Sequence, residues 1–394
     1  MKILYVSNYF KPHWEGGGPT KICYDLAILL NYKGHDITVF TTEGSNPGIV
    51  VDVNKEVLVD DIKVYYFSNV IKMFAKKFHF FTPFHSIKII KNNIKNFDII
   101  HIHEGNALLG PIVCYYARKF KIPYVWQGHG SLINKLDQKY AIYYKILDKI
   151  FGDIVKHASA AVALNENEAL NYQKMGIDRR KIYIIPNGID VKKYLNYIKT
   201  NKFRLKYGLL DKKIILYLGR INKIKGIEII LEALTNITIS RDNYVFIIAG
   251  PDDGFLKDVI KLIEKYQIGD NVIIAGPIYE EDKINLMKES DLFVLMSHYD
   301  TYPISVLEAS ACGLPSIISK HCEISNLLDG KSSIIIENES KILANNIVNL
   351  LSNPLKYEDL KDGGIQLALS TFNINSVALK LEDLYKSLYK MDLL

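Results

Sequence analysis

Asp291-Leu-Phe-Val-Leu-Met-Ser-His-Tyr-Asp300-Thr-Tyr-Pro-Ile-Ser-Val-Leu-Glu308 reads as a buried strand, a short loop and the opening of a helix. The apolar run inside 291–297 is what a central strand of a parallel sheet requires, because helices cover both of its faces. Pro303 suits the first turn of the following helix, where a missing N–H costs nothing. Asp300 then lies in the loop above the strand, and Glu308 about one turn inside the helix. Both carboxylates face the edge at which open α/β sheets bind ligands.

Outward from this segment, the two halves of the chain repeat one order. The first opens with a strand at 2–6, a loop ending in Gly16-Gly17-Gly18, a helix from about Pro19 to Lys33 and a strand at 36–41. The second opens with a strand at 213–218, a loop from Gly219 to Gly226, a helix from about Ile227 to Leu234 and a strand at 244–249. Further apolar runs predict strands at 98–103, 123–127, 160–164 and 182–185, and at 271–275, 291–296, 315–319 and 332–336. Strands alternating with helices predict two Rossmann-like, doubly wound parallel-sheet domains, 1–190 and 200–370, facing across a cleft. The turn chemistry of Pro186-Asn187-Gly188 marks the joint. The tail, 371–394, has the apolar spacing of an amphipathic helix and is expected to pack back on the first domain.

Composition narrows the classes. A 394-residue chain with 48% hydrophobic and 23% charged residues is globular and too long for one ordinary core. The first residues lack the pattern of a signal peptide, and no apolar run approaches the ~18 residues that cross a bilayer, so a cytoplasmic protein is expected, with the inner face of the membrane as its place where the basic segment described below is a membrane contact. Cys23, Cys114, Cys312 and Cys322 form no C-x-x-C pair and read as free thiols. Residues 1–190 carry 24 Lys and Arg against 17 Asp and Glu, whereas 191–394 carry 25 against 26. That excess suits nucleic acid, an anionic membrane or a phosphorylated substrate, of which the last two are expected as partners and nucleic acid is not. In 71–81, Lys72, Lys76 and Lys77 interleave with Phe74, Phe78, Phe80 and Phe81. The segment reads either as an amphipathic surface helix with its phenylalanines in the core or as a peripheral contact with anionic membrane.

The loops carry the chemistry. Glycines at 16–18 let backbone approach a ligand, and the helix that follows offers free N–H groups to a phosphate. The G-x-G-x-x-G pattern of a nicotinamide site and the Walker A pattern are both absent. In Gly219-Arg220-Ile-Asn-Lys223-Ile-Lys225-Gly226, Arg220 and Lys225 bracket a helix start, where cations gain nothing from the dipole, so an anion is the natural ligand. Ala249-Gly250-Pro251 and Ala275-Gly276-Pro277-Ile278 end strands in turns that expose backbone groups to a base, although plain turn chemistry explains them too. His129, in Trp126-Gln-Gly-His-Gly130, is placed to donate to a substrate oxygen or to move a proton. His101 and His103 share a strand face but have no completing ligand set, so they read as a packed, hydrogen-bonded pair and no metal is expected. Glu104 and Asn106 follow that strand and are candidates for the acceptor side.

These features together resemble the retaining glycosyltransferases of family 4, which have the GT-B fold. The resemblance runs from the glycine-rich loop to the region of Phe372. Its most specific parts are Gly219-Arg220 to Lys225-Gly226 and the two acids at 300 and 308, running on through Glu308-Ala-Ser-Ala-Cys-Gly-Leu-Pro315. The resemblance implies that Arg220 and Lys225 hold the donor diphosphate, approached by Gly17 and Gly18. It implies that Glu308 binds the ribose, that main chain at Gly250 and Ile278 meets the base, and that N–H groups of Ile304, Ser305 and Val306 face sugar or phosphate. Asp300 and His129 are then set beside the transferred sugar.

Two departures stand out. Asp300 occupies a position that is usually Glu, and Thr301-Tyr302-Pro303 replaces a frequent Gly-Phe-Gly. By this resemblance the substrates are a nucleotide-sugar donor, UDP-linked before GDP-linked, and a glycan or polyprenyl-linked acceptor, with no cofactor and no metal. A sugar-nucleotide epimerase and a non-catalytic glycan-binding protein of the same fold are the alternatives.

Overall fold

The computed structural model describes residues 1–73, 75, 81–103, 108–130, 152, 154–238 and 240–391. The chain divides into two compact units, Met1–Gly188 with Ile374–Leu394, and Ile189–Asn373.

The sheet of the first unit contains β1 (Lys2–Val6), β2 (Asp36–Thr42), β3 (Glu56–Val59), β4 (Ile62–Phe67), β5 (Ile99–His103), β6 (Tyr124–Gln127), β7 (Ala160–Ala163) and β8 (Ile182–Ile184). Their spatial order is β3-β4-β2-β1-β5-β6-β7-β8. All neighbours are parallel except β3 and β4, an antiparallel hairpin at the edge that the reading of the sequence did not include. Its turn is Asp60-Asp61, both at positive φ (47° and 64°), as a two-residue primed turn demands. The order reverses between β1 and β5, so the switch point lies at the tips of those two strands.

Helix Ile374–Met391 belongs to this first unit. Val377, Leu381, Leu384, Tyr385 and Leu388 recur at helical spacing and are buried. The Tyr385 hydroxyl lies 3.2 Å from that of Tyr5 in β1 and 2.5 Å from His101 Nδ1 in β5. Glu382 accepts from Lys33 Nζ at 2.6 Å and lies 2.9 Å from His35 Nε2, tying the same helix to the end of helix Gly18–Tyr32.

The second unit holds β9 (Lys213–Leu218), β10 (Tyr244–Ala249), β11 (Val272–Gly276), β12 (Leu292–Leu295), β13 (Ser316–Ser319) and β14 (Ser333–Ile336), all parallel, in the order β11-β10-β9-β12-β13-β14. The β9, β10 and β12 strands are buried along nearly their whole length, which their continuous Ile, Leu, Val and Phe content dictates. Here the reversal falls between β9 and β12. The chain enters at Ile189, whose N–H donates to the Phe372 carbonyl at 2.7 Å, so the first and last segments of this unit run side by side. The polar stretch after the joint forms helix Val191–Leu195, because Val191 and Tyr194, three apart, share a buried face. Among the described residues, no helix is long and apolar enough to cross a membrane, and none of the four cysteines is in a disulfide.

Candidate functional site

The switch point of the second unit gathers most of the residues singled out above. From the tip of β9, Gly219 N–H donates to the Ala249 carbonyl at 3.0 Å, and Gly250 N–H donates to the Gly276 carbonyl at 2.8 Å. The turns after β9, β10 and β11 are thus laced together across the sheet edge. A Cβ at Gly250 would lie 1.8 Å from the Gly219 carbonyl oxygen, and one at Gly226 would lie 1.9 Å from that of Met296. Both glycines also have positive φ, so this close backbone packing admits no other residue cheaply. Ile278 sits half-buried in the turn between β11 and helix Glu280–Glu289.

Arg220 and Lys225 of the β9 turn already have carboxylate partners. Arg220 Nη1 donates to Asp253 Oδ2 at 2.7 Å, and Asn222 Nδ2 donates to the same oxygen at 3.0 Å. Lys225 Nζ donates to Asp300 Oδ2 at 2.5 Å, with side chains 18% and 12% exposed. The hydroxyl of Tyr217 donates to the Arg220 carbonyl at 2.6 Å and pins the turn from below. Burial first, then the nearby Asp300 charge, raises the Tyr217 hydroxyl far above the ordinary tyrosine range, so it remains a proton donor.

Asp300 sits after β12, where its N–H donates to the His321 carbonyl at 3.3 Å and its own carbonyl accepts from Glu323 N–H at 2.8 Å. Helix Ile304–Ala311 begins just beyond, with Pro303 as its N-cap residue, just outside the first turn in which the sequence reading placed it. Val306 N–H already donates to the Pro303 carbonyl at 3.0 Å, so of the three N–H groups expected to face a donor, those of Ile304 and Ser305 precede the first such bond. Glu308 is 3% exposed, and its Oε1 accepts from Tyr194 Oη at 2.7 Å and from Lys283 Nζ at 2.5 Å. Asp253, Lys283 and Tyr194 were missed because their partners lie 33, 25 and 114 residues away, and no local pattern announces such pairs.

In the first unit, Gly17 caps helix Gly18–Tyr32, and its N–H donates to the Trp14 carbonyl at 3.0 Å. His129 follows β6 at φ 49° and lies beside His103, with Nε2 to Nδ1 at 3.0 Å. The rings of His101 and His103 stack with centroids 4.1 Å apart. Burial drives His129 and His101 down to about 3 and His103 well below its usual range, so all three imidazoles are neutral at neutral pH.

A carboxylate that the sequence reading overlooked holds the His129 turn. Glu168 is 1% exposed; its Oε1 accepts from Gly130 N–H at 2.8 Å and from Tyr172 Oη at 3.1 Å, and its Oε2 accepts from Leu164 N–H at 2.7 Å. The Tyr172 hydroxyl accepts from Gly128 N–H at 2.8 Å, so both glycines flanking His129 are fixed by one Glu-Tyr pair. Asn165-Glu-Asn-Glu168 is a legible helix-start signal, since Asn165 Oδ1 caps Glu168 N–H at 2.8 Å. Glu104 and Asn106 lie outside the described residues, as do Phe74, Lys76, Lys77, Phe78 and Phe80 of the basic aromatic segment; Phe81 is buried. Among the described residues, no group of His, Cys, Asp and Glu is placed to hold a metal ion.

The chain is similar to known proteins in sequence and in fold. Residues 16–193 match the family described as Glycosyltransferase Family 4, and residues 199–367 match Glycosyl transferases group 1. The chain is 31% identical over 261 residues to the Escherichia coli UDP-Gal:alpha-D-GlcNAc-diphosphoundecaprenol alpha-1,3-galactosyltransferase, covering 62% of this chain and 63% of that protein. It is 23% identical over 345 residues to one subunit of the human phosphatidylinositol N-acetylglucosaminyltransferase, covering 86% of this chain and 66% of that one. The chain therefore spans just under two thirds of the length of both relatives. The Anabaena protein HepE, solved with UDP-glucose, has the same fold, with a TM-score of 0.79 at 19% identity over 98% of this chain and 100% of that one.

Proposed function

The chain belongs to the family 4 glycosyltransferases of GT-B fold, and we propose that it moves a hexose from a nucleotide-sugar, UDP-linked before GDP-linked, to a glycan or polyprenyl-linked acceptor, with retention of configuration and without a metal. The observation that carries this reading is the meeting of Arg220, Lys225, Asp300 and the start of helix Ile304–Ala311 at the switch point of one sheet. Two cations beside a helix N-terminus stabilise the charge that develops on a departing nucleoside diphosphate, a task for preorganised electrostatics that needs no metal. Donor binding then exchanges the Asp253 and Asp300 carboxylates for phosphate oxygens on Arg220 and Lys225.

Glu308 is assigned to the ribose, Gly250 and Ile278 to the base, and Asp300 to the sugar, where its short side chain bears on which hexose is accepted. His129 is assigned to the transferred sugar, and Gly17 and Gly18 to the diphosphate. The acceptor hydroxyl attacks from the leaving-group side, and a phosphate oxygen takes its proton. The acceptor class is supported by the names of relatives, which specify diphosphoundecaprenol in one case and phosphatidylinositol in the other.

A membrane-linked acceptor also gives a role to an exposed surface of the first unit. Val70, Ile71, Met73, Phe84 and Ile87 are 38–65% exposed, with Lys72 and Lys88 among them. Val70 N–H donates to the Thr82 carbonyl at 3.1 Å and Phe84 N–H to the same oxygen at 3.0 Å, so the two stretches are adjacent. Apolar side chains with interspersed lysines suit the headgroup region of an anionic bilayer.

The test is nucleoside diphosphate release from UDP-glucose, UDP-galactose and GDP-mannose, with and without a polyprenyl-diphosphate sugar as acceptor. Release that depends on acceptor, survives EDTA and yields the donor's own anomer by NMR is expected. Conversion of donor to a new epimer without acceptor supports the epimerase alternative, and binding without turnover supports the glycan-binding one.

A further inference from the structure

Glu308 is nearly enclosed, yet both hydrogen bonds to its carboxylate fall on one oxygen. Lys283 Nζ, from helix Glu280–Glu289, and Tyr194 Oη, from helix Val191–Leu195, meet at Oε1. Among the described residues no hydrogen bond falls on Oε2. The side chains of Lys283 and Glu308 are 18% and 4% exposed, so the ammonium is itself held by its surroundings. We propose that Lys283 fixes the plane of the Glu308 carboxylate and thereby sets how strongly the protein distinguishes a ribonucleoside diphosphate from its deoxy counterpart. This rests on Glu308 being the ribose-binding residue.

The physical argument is one of rotation. A carboxylate turns freely about its last bond, and a free rotor presents a given oxygen to a ligand only part of the time. Two donors from different helices, one of them charged, saturate Oε1 and stop that rotation. The remaining oxygen is then a fixed acceptor, and a vicinal diol is the chemical group that loses most when it is deprived of a hydroxyl. Without Lys283, Tyr194 alone holds Oε1, and a single hydrogen bond tolerates swivelling about its own axis. Lys283 is thus a positioning residue that acts through Glu308 and touches no reacting atom.

The experiment is titration calorimetry on the full chain with UDP and 2′-deoxy-UDP, or with the GDP pair if the wild-type protein binds guanine nucleotides instead. The wild-type protein is expected to prefer the ribonucleotide by about tenfold or more, the worth of one hydrogen bond to a charged group. In Lys283→Met that preference should collapse toward unity through weaker ribonucleotide binding, with deoxynucleotide binding changed by less than about twofold, whereas Lys283→Arg should retain it. Tyr194→Phe deletes the other donor and leaves the ion pair, so it gives the same test in a chain whose buried charge stays balanced; a fall of about threefold is expected. A preference unchanged in Lys283→Met and Tyr194→Phe, or equal weakening of both nucleotides, overturns the proposal while leaving Glu308 on the ribose. A wild-type protein that shows no preference removes the ribose role of Glu308 and this inference with it.

Discussion

The Nε2 of His129 and the Nδ1 of His103 are 3.0 Å apart, so the two imidazoles share one proton and are not charged together without repulsion. Burial holds His129 and His101 at about 3 and His103 well below its usual range in the folded protein, against ~6.5 in the unfolded chain. Because the folded pKa values are depressed, the unfolded state binds more protons below pH ~6.5, and stability falls as pH falls. Between pH 6.5 and 5, above the carboxylate range, the loss should reach about 1.4 kcal/mol per pH unit for each histidine. Urea denaturation across that window measures the slope, which His101→Gln should reduce by about one histidine's share. A flat profile would mean that the stack takes up protons while folded.

Glu168→Ala leaves the N–H groups of Gly130 and Leu164 without their acceptor. Each buried orphan costs about 1–3 kcal/mol, so a fall of at least about 2 kcal/mol in unfolding free energy is expected, together with loss of transfer activity as the His129 turn relaxes. Glu168→Gln keeps one acceptor oxygen and should lose less of both. Unchanged activity in a folded Glu168→Ala protein would separate His129 from the reaction.

Lys225→Ala tests the second unit's switch point. It should weaken UDP binding by about 10–100-fold and also destabilise the protein, by about 2–3 kcal/mol, because Asp300 is left enclosed without its cation. Lys225→Ala combined with Asp300→Asn should regain the stability and none of the affinity. Arg220 is half exposed at 51%, so Arg220→Ala is expected to lose donor affinity with a melting temperature close to wild type. Full donor affinity in both single variants would place the diphosphate elsewhere.

Gly226→Ala sets a methyl group 1.9 Å from the Met296 carbonyl oxygen at a position with φ +65°. The β9 turn must then move away from β12, and loss of UDP binding is expected along with a lower melting temperature, by several degrees. Wild-type binding in this variant would show that the spacing of turn and strand is irrelevant to the ligand.

Met73→Ser with Phe84→Ser removes two large apolar groups, 65% and 47% exposed, from the surface beside Lys72. Co-flotation with vesicles containing phosphatidylglycerol should fall several-fold with no change in UDP affinity. Equal flotation of both proteins would dismiss the membrane assignment for this face.

Much of the fold was legible because buried parallel strands write themselves as short apolar runs, and twelve such runs became strands close to where they were expected. The β3–β4 hairpin escaped notice because Asp60-Asp61 is an unusual sequence for a turn that needs two positive φ values, where Asn-Gly is the familiar signal. Of the candidate residues, those next to turns and strand tips were visible: Arg220, Lys225, Asp300, Glu308 and His129 all announce themselves locally. Their partners were not, since Asp253, Lys283 and Tyr194 meet them only after the sheet has brought distant helices and loops together. Glu168 is the instructive middle case, legible as a cap and not as the clamp on a turn nearly forty residues earlier.

Helix Ile374–Met391 completes the first unit, although about 185 residues of the second unit precede it in the chain. On a ribosome adding roughly 5–20 residues per second, Tyr5 waits about 10–40 s longer for Tyr385 than the rest of its own sheet requires. During that interval the face of β1 and β5 that the helix will cover, Tyr5 and the histidine stack included, has no lid. The second unit, whose residues are contiguous from Ile189 to Asn373, incurs no such delay. Synthesis order and structural order therefore run opposite to each other: the unit begun first waits for the second to be made, and the histidine face stays uncovered throughout that interval.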